Sequence, residues 1–254
     1  MRRRWPWVLL VALLVMLALA VWFPAGWAWR MARGDYPQLQ VGALHGSIWN
    51  GHASAVEYAG IPLGRLDWTL SRSALLGKDR LHLHVDGPLL TGSAQVQRDG
   101  SDRPVRVAMD AIVHLDQVPV SVGRPGLKPG GELHLRIPQM RLRGHWPQQL
   151  QGRIDWRAAT LADRLGPVPL GTLHATLQEK AGTALEAVFS DAGGPLAVTG
   201  TAQATVLGWR LRAKLSPRSH DVRLEQVLEH LGRPDAQGSI LLRQHGGVVM
   251  GDAP

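Results

Sequence analysis

A chain of 254 residues with a hydrophobic fraction of 45% is long and apolar enough for one sizeable folded domain, and its 29 Gly and 17 Pro give turns too closely spaced for a helical bundle. The absence of cysteine excludes disulfides, thiolate zinc sites and thiol nucleophiles. The net charge of +8 comes mostly from single arginines scattered among apolar or small residues, whereas nucleic-acid-binding proteins cluster their cations on one face, so we expect no nucleic-acid partner.

The first predicted element is a membrane anchor. An uninterrupted apolar run covers residues 8–23, and with its flanking tryptophans it reaches about 20 residues, the length that a bilayer core requires. The tryptophans at its two ends fit an aromatic belt, and the arginines at 2–4 predict a cytoplasmic N-terminus. We therefore expect a cytoplasmic stub and single-pass transmembrane helix over 1–29, a linker over 30–38, and a β-rich domain on the far side of the membrane over 39–254.

The alternative for this segment is a cleavable signal peptide. Residues 18–20 (Ala-Leu-Ala) have the small-x-small pattern of a cleavage site. Apolar residues continue through Trp22 and Phe23, however, and a bulky Trp22 just after the cut is unfavourable, so we favour an uncleaved anchor. Pro24 and Gly26 are then expected to break the helix near the outer interface.

Beyond residue 39 the chain reads as a succession of strands. Short stretches alternate apolar with polar residues between Gly and Pro, the period-2 pattern of half-buried strands. The alternation is clearest in five segments: 81–85, 105–109, 133–137, 173–177 and 209–215. Since no helix of crossover length lies between them, we predict an all-β, mainly antiparallel meander that forms an open sheet or a sandwich-like domain.

The chain also repeats itself at a constant spacing. The motif Ile-Pro-Leu-Gly at 61–64 returns as Val-Pro-Leu-Gly at 168–171, and Gly-Pro-Leu at 87–89 returns at 194–196. Both landmarks are displaced by the same number of residues (168 − 61 = 107 and 194 − 87 = 107). Ordered landmarks at one spacing predict a duplicated structural unit.

We predict two related β units, about 39–115 and 133–215, that join into one core. Trp49 and Trp156 align upstream of the shared landmarks and are predicted to be equivalent core residues. The remaining tryptophans of the domain are expected in the core as well, each with its N–H reaching a backbone carbonyl, in preference to a sugar- or lipid-binding surface: Trp68, Trp146 and Trp209.

One helix is predicted in the domain, over 221–231 near the C-terminus. Asp221 is a good N-cap, and apolar residues recur at helical spacing from Leu224 to Leu231. Gly232 and Pro234 end the helix. We expect the helix to pack on the sheet, followed by a last short strand over residues 239–243.

The best candidate for a metal site is the pair His82 and His84, because residues i and i+2 of a strand point to the same side. A third ligand could come from His45, His52 or Asp86. Two polar residues on the solvent face of an alternating strand explain the pair better, and we favour that explanation. No nucleophile elbow or phosphate-binding loop occurs in the sequence. We therefore predict a non-enzymatic protein with no catalytic, cofactor or metal site and no small-molecule substrate.

Taken together, the anchor and four segments resemble the protein N family of the type II secretion pathway. The segments are Leu-His-Gly-Ser-Ile-Trp-Asn-Gly at 44–51, Gly-Ile-Pro-Leu-Gly-Arg-Leu-Asp-Trp at 60–68, Asp-Gly-Pro-Leu-Leu-Thr-Gly-Ser at 86–93 and Leu-Gly-Arg-Pro-Asp-Ala-Gln-Gly at 231–238. The resemblance implies an accessory protein of the inner membrane, with the bulk of the chain in the periplasm, that assists export of folded proteins across the outer membrane. It implies docking to other secretion components, either inner-membrane platform proteins or the secretin, and no catalytic residues.

The alternative function belongs to another class, lipid handling. A tandem-repeat, incompletely closed sheet on an inner-membrane anchor also suits a groove for acyl chains, as in lipid-handling proteins that resemble the AsmA group. A continuous apolar face would favour that alternative over docking.

Overall fold

The protein is described from a computed structural model, which covers residues 24–100, 103–118, 126–143, 146–180 and 184–247. The predicted membrane span at 8–23 and its signal-peptide alternative lie outside these residues. Inside them, no helix has the length and apolar character needed to cross a bilayer.

The first described element is a short helix, α1 (Ala25–Ala32). Pro24 is extended, with φ −66° and ψ 134°, and stands at the N-cap, where its missing N–H costs nothing. Gly26 lies inside this helix, so the prediction that Gly26 breaks the helix is wrong. A single glycine costs a helix only about 1 kcal/mol, and α1 continues across the expected border between anchor and linker.

The rest of the described chain is almost entirely β-structure. Its strands are β1 (Leu39–Val41), β2 (Leu44–Gly46), β3 (Asn50–Tyr58), β4 (Ile61–Leu70), β5 (Lys78–Asp86), β6 (Leu90–Asp99), β7 (Val105–His114), β8 (Lys128–Arg143), β9 (Trp146–Asp163), β10 (Gly166–Lys180), β11 (Ala184–Asp191), β12 (Leu196–Thr205), β13 (Gly208–Pro217) and β14 (Ile240–Gly247). A second helix, α2 (Val222–Glu229), separates β13 from β14.

All described strands belong to one sheet whose order follows the chain. From β3 to β14 each strand pairs with the next, and β1 and β2 pair with different parts of β3. Every pairing is antiparallel, which confirms the predicted all-β meander in its open-sheet form. One edge consists of the two short strands β1 and β2, whereas the other is the eight-residue strand β14.

The two faces of the sheet differ in chemistry. One row of directly paired residues, which we call the apolar row, is buried or half-buried throughout and crosses the sheet from β2 to β14: Leu44, Ala53, Leu66, Val85, Gly92, Ala111, Leu135, Ile154, Ala175, Phe189, Gly200, Ala213 and Leu242. The neighbouring positions point to the opposite face and form the polar row: His45, His52, Asp67, His84, Ser93, Asp110, Arg136, Arg153, Thr176, Val188, Thr201, Arg212 and Arg243.

The densest core lies at one end of strands β9 to β14, under helix α2. The Asp221 side chain accepts hydrogen bonds from the N–H groups of Arg223 and Leu224, which confirms the predicted N-cap. The Arg223 guanidinium donates to the Asp163 carboxylate at the end of β9, at 2.9 Å and 3.2 Å, and ties the helix to the sheet. The buried residues of this core are Leu127, Ala159, Val168, Leu170, Leu196, Val198, Leu215, Leu224, Val227, Leu228 and Ile240.

A close backbone contact recurs at the spacing of the sequence repeat. Gly64 has φ 87° and packs against Gly87, where an added Cβ would lie 2.2 Å from the Leu63 carbonyl oxygen. Gly171 has φ 99° and packs against Gly194, where an added Cβ would lie 3.0 Å from the Gly171 Cα. Both partners are displaced alike (171 − 64 = 107 and 194 − 87 = 107). The recurrence supports the division into two β units, which stays a prediction.

The predicted equivalence of Trp49 and Trp156 is not seen in the strand register. Trp156 pairs with Leu173, which corresponds to Leu66 (173 − 66 = 107), and Leu66 pairs with Ala53. Trp156 therefore takes the place of Ala53, while Trp49 lies in the turn before β3. The alignment fails because the β9–β10 hairpin is four residues longer than the β3–β4 hairpin: Val168 pairs with Leu161 (168 − 161 = 7), whereas its counterpart Ile61 pairs with Tyr58 (61 − 58 = 3). The constant spacing therefore does not extend upstream.

Candidate interaction surface

The two histidines of the proposed metal pair lie on the solvent side of β5. Exposed and half-buried residues alternate along the whole strand, and His82 and His84 are both exposed. This confirms the solvent-face interpretation of the pair. That they bind no metal stays a prediction.

The fold brings three of the candidate residues into one neighbourhood on the polar row. The rings of His45 and His52 stack with centroids 5.0 Å apart, and His52 and His84 flank Asp67 from opposite sides. The Asp67 carboxylate accepts from the Arg65 guanidinium at 2.8 Å to 3.1 Å, and this hydrogen bond lowers the pKa of Asp67. Across the described ranges, no three His, Asp or Glu side chains are arranged to hold a metal ion.

The other two candidate ligands, Asp86 and His82, lie outside this neighbourhood. Asp86 pairs with Arg65 on one side and Thr91 on the other, at the end of β5. His82 faces Thr69 and Gln95 instead of an acid. The structure therefore does not join Asp86 and His82 to the cluster around Asp67.

The tryptophans divide into structural and exposed residues. The indole N–H of Trp68 donates to the Ser47 carbonyl at 3.1 Å, and that of Trp156 donates to the Gly130 carbonyl at 2.9 Å, as predicted for core residues. Trp146 is half-buried. Trp209 is 46% exposed, so its prediction as a core residue is wrong.

The exposure of Trp209 follows from its place beside the sheet edge. Its ring lies over Gly246 of β14, where an added Cβ would come within 2.7 Å of the indole nitrogen. Described residues provide no further strand beyond β14 to cover the ring. The edge therefore leaves an aromatic side chain open to solvent on the apolar face.

The opposite face of the same edge carries a cluster of basic side chains. On β13 and β14, Arg210 lies opposite His245 and Arg212 lies opposite Arg243, and all four are exposed. Ion pairs that the structure describes involve none of the three arginines. Like charges directly opposite each other destabilise a sheet, so stability alone does not account for the pairing of Arg212 with Arg243.

The nearest acid in the row of Arg210 does not neutralise the cluster. Glu186 accepts from Lys180 at 2.6 Å, from Gln203 at 2.8 Å and from Gln178 at 3.1 Å. These contacts, the Lys180 hydrogen bond first, lower the pKa of Glu186 to about 2. The carboxylate is thus already paired within the sheet.

A cleft of about 550 Å³ opens at this edge, lined by the basic cluster together with Trp209 and Gly246. Sequence reasoning did not identify it. The signal was present as Arg-x-Arg at 210–212 and Arg-x-His at 243–245, the period-2 spacing that puts side chains on one face of a strand. Only the pairing of β13 with β14 shows that the two motifs meet.

Comparisons with known proteins agree with the resemblance. The family model described as type II secretion system (T2SS), protein N matches residues 37–243. The chain is 28% identical to the type II secretion system protein N of Vibrio cholerae serotype O1, covering 97% of this chain and 99% of the relative. It is 27% identical to the protein of the same name from Aeromonas hydrophila, covering 83% and 85%. No solved structure matches.

The family match runs from just before β1 into β14 and so takes in nearly the whole sheet. The chain belongs to the protein N family of the type II secretion system.

Proposed function

We propose that this chain is an accessory inner-membrane component of the type II secretion machinery, which assists export of folded proteins across the outer membrane by docking to other components. The observation that carries the proposal is that the family match spans the sheet almost from edge to edge. The partners are inner-membrane platform proteins or the secretin.

We propose a non-enzymatic role because the most perturbed acids serve the fold. Asp163 holds helix α2 through Arg223, and Glu186 is held by Lys180. Each of these acids has a pKa lowered to about 2 by its hydrogen-bonded cation. An acid that is ionised and paired in this way stabilises structure and is a poor proton donor near neutral pH.

The proposed location is the inner membrane, with residues 1–29 as anchor and the sheet in the periplasm. The support is the apolar run at 8–23 with arginines before it. A reporter active only in the periplasm, fused after Pro254, should be active, and a cytoplasm-only reporter should be silent. A mature protein that is soluble and begins near Val21 would show that the signal-peptide alternative is right.

Deletion of the gene tests the role in secretion. The yield of secreted protein should fall in the deletion strain and recover when the full chain is supplied. The variant in which His82 and His84 are both Gln serves as a matched control, since both side chains are exposed, and should restore secretion fully. Unchanged secretion in the deletion strain would contradict the proposal.

One observation favours the lipid-handling alternative, although the comparisons give it no support. The apolar row crosses the sheet from β2 to β14, and outside the core under α2 most of its members are only half-buried. If acyl chains lie on this face, lipid should copurify with the full chain and be lost when Ala111 is replaced by Arg in a variant that stays folded. Equal lipid content in both proteins would exclude this alternative.

A further inference from the structure

The β14 edge combines three features that other parts of the described sheet do not share. Among the described residues, β14 has one backbone side that is unpaired except for a bridge between Ile240 and Pro234. It also has an unneutralised basic cluster on the polar face and an exposed tryptophan beside it on the apolar face. The opposite edge is blunted, because β1 and β2 are three residues each. Exposed edge strands are templates for another strand unless they are protected.

We propose that this edge binds an acidic, extended segment of another secretion component as an added antiparallel strand. The proposal rests on the docking role proposed above and names the surface and the chemistry of the partner. The remaining pairings of the sheet are all antiparallel, and the new strand continues that pattern.

Charge complementarity on the polar face selects acids. Arg243 and His245 lie two positions apart on β14, about 6.6 Å along the strand, and Arg210 and Arg212 stand behind them on β13. Alternate residues of an incoming strand have the same spacing, so two acids at positions i and i+2 meet this cluster together. Leu241, 54% exposed on the same face, meets an apolar residue at i+4.

The apolar face selects the intervening residues. Trp209 lies over Gly246, and Leu242 ends the apolar row on β14. Residues i+1 and i+3 of the incoming strand point to this side and contact the indole ring and the end of the row. Exposed tryptophans often dominate binding energy at interfaces. The recognised segment therefore alternates acidic and apolar residues.

The alternation also argues for a peptide over a membrane surface. An anionic bilayer pairs with cations but offers no backbone donors and acceptors to the unpaired side of β14. An added strand can pair its acids with the cations, hydrogen-bond to the unpaired backbone of β14 and contact the aromatic ring at the same time.

The test uses the full chain in detergent and a labelled synthetic peptide with Glu at positions i and i+2 and Val elsewhere, long enough to pair with residues 241–247 of β14. Binding is measured by fluorescence anisotropy. We expect binding that weakens between roughly 50 mM and 300 mM salt, as screening predicts. A peptide with Lys in place of Glu should not bind. A Glu/Val peptide N-methylated at alternate backbone nitrogens should lose binding, because it cannot pair as a strand.

Variants of the protein locate the site. Arg243→Glu should weaken binding at least about tenfold, since it reverses a charge that faces the acids. The same change places opposite charges across β13 and β14 and should not lower the melting temperature, which separates lost binding from unfolding. Trp209→Ala should weaken binding severalfold. Arg80→Glu, at an exposed position of β5, far from the β14 edge in the strand order, is the matched control and should bind within about twofold of the parent.

Four results would overturn the inference: no binding of the Glu/Val peptide, equal binding by Arg243→Glu, equal binding of the N-methylated peptide, or Arg243-dependent binding of phosphatidylglycerol vesicles without peptide binding. Secretion that needs the chain but not Arg243 would overturn this surface alone and leave the proposed function standing. Secretion that does not need the chain would contradict the proposed function, whatever the peptide does.

Discussion

Burial of apolar side chains under helix α2 is expected to stabilise the core, and replacing Leu228 by Ala tests this expectation. Leu228 is 1% exposed and lies within the cluster under the helix. The change removes three buried carbon atoms, worth about 0.8 kcal/mol each or about 2.4 kcal/mol together. The cavity that remains can raise the total to about 5 kcal/mol, a large part of the stability of an ordinary domain.

Thermal melting of the full chain followed by circular dichroism measures the effect. A loss of this size lowers the melting temperature of a protein of this length by about 5 to 20 °C. The matched control is Val222→Ala in the first turn of the same helix, where the side chain is 56% exposed and the change should cost within about 0.5 kcal/mol. Equal melting temperatures of the two variants would refute this expectation, because they would mean that burial under α2 adds nothing to stability.

Three further predictions follow from single contacts. The Arg223 hydrogen bond is the main reason that the pKa of Asp163 falls from an ordinary 3.8 to about 2. Ionised Asp163 therefore stabilises the fold above about pH 4, and this contribution is lost as the pH falls towards 2. The melting temperature of Arg223→Gln should fall less over this pH range than that of the parent. Trp156→Phe keeps a benzene ring but removes the pyrrole N–H and so leaves the carbonyl of buried Gly130 without its donor, and chemical unfolding should show a loss of about 1–3 kcal/mol in the free energy of unfolding. Replacing His82 and His84 by Gln should leave melting unchanged, whereas stoichiometric zinc in the parent that disappears from this variant would contradict their surface role.

Local patterns predicted much of the fold because their causes are local. Alternation along residues 81–85 gave a strand whose exposed and half-buried residues do alternate. The cap at Asp221 and the helical spacing that follows it gave α2, because both depend on residues within two turns of each other. The repeat was visible because two glycine contacts need residues without a side chain at fixed positions.

Features that depend on pairing across the sheet were missed or wrong. Nothing near Trp209 in sequence indicates that its neighbour β14 is the edge strand of the described sheet, which is why the Trp209 ring is exposed. Trp49 and Trp156 looked equivalent because they stand at the spacing of the repeat, whereas the longer β9–β10 hairpin places Trp156 opposite the counterpart of Leu66, where Ala53 stands in the first unit. The basic cluster forms only because β13 pairs with β14, which brings together two short motifs whose outermost residues are 35 positions apart in sequence (245 − 210 = 35).

The proposed docking of the sheet to the secretion machinery can be tested by cross-linking in living cells. Photoreactive residues are placed at exposed positions of the polar row and at Leu241 on the β14 edge, in a strain whose secretion depends on the chain. The cross-linked products are then identified by mass spectrometry. These positions should capture inner-membrane platform proteins or the secretin, with more product at Leu241 than at the polar row. Capture of lipid alone, or no captured secretion component while secretion is fully restored, would contradict the proposed docking.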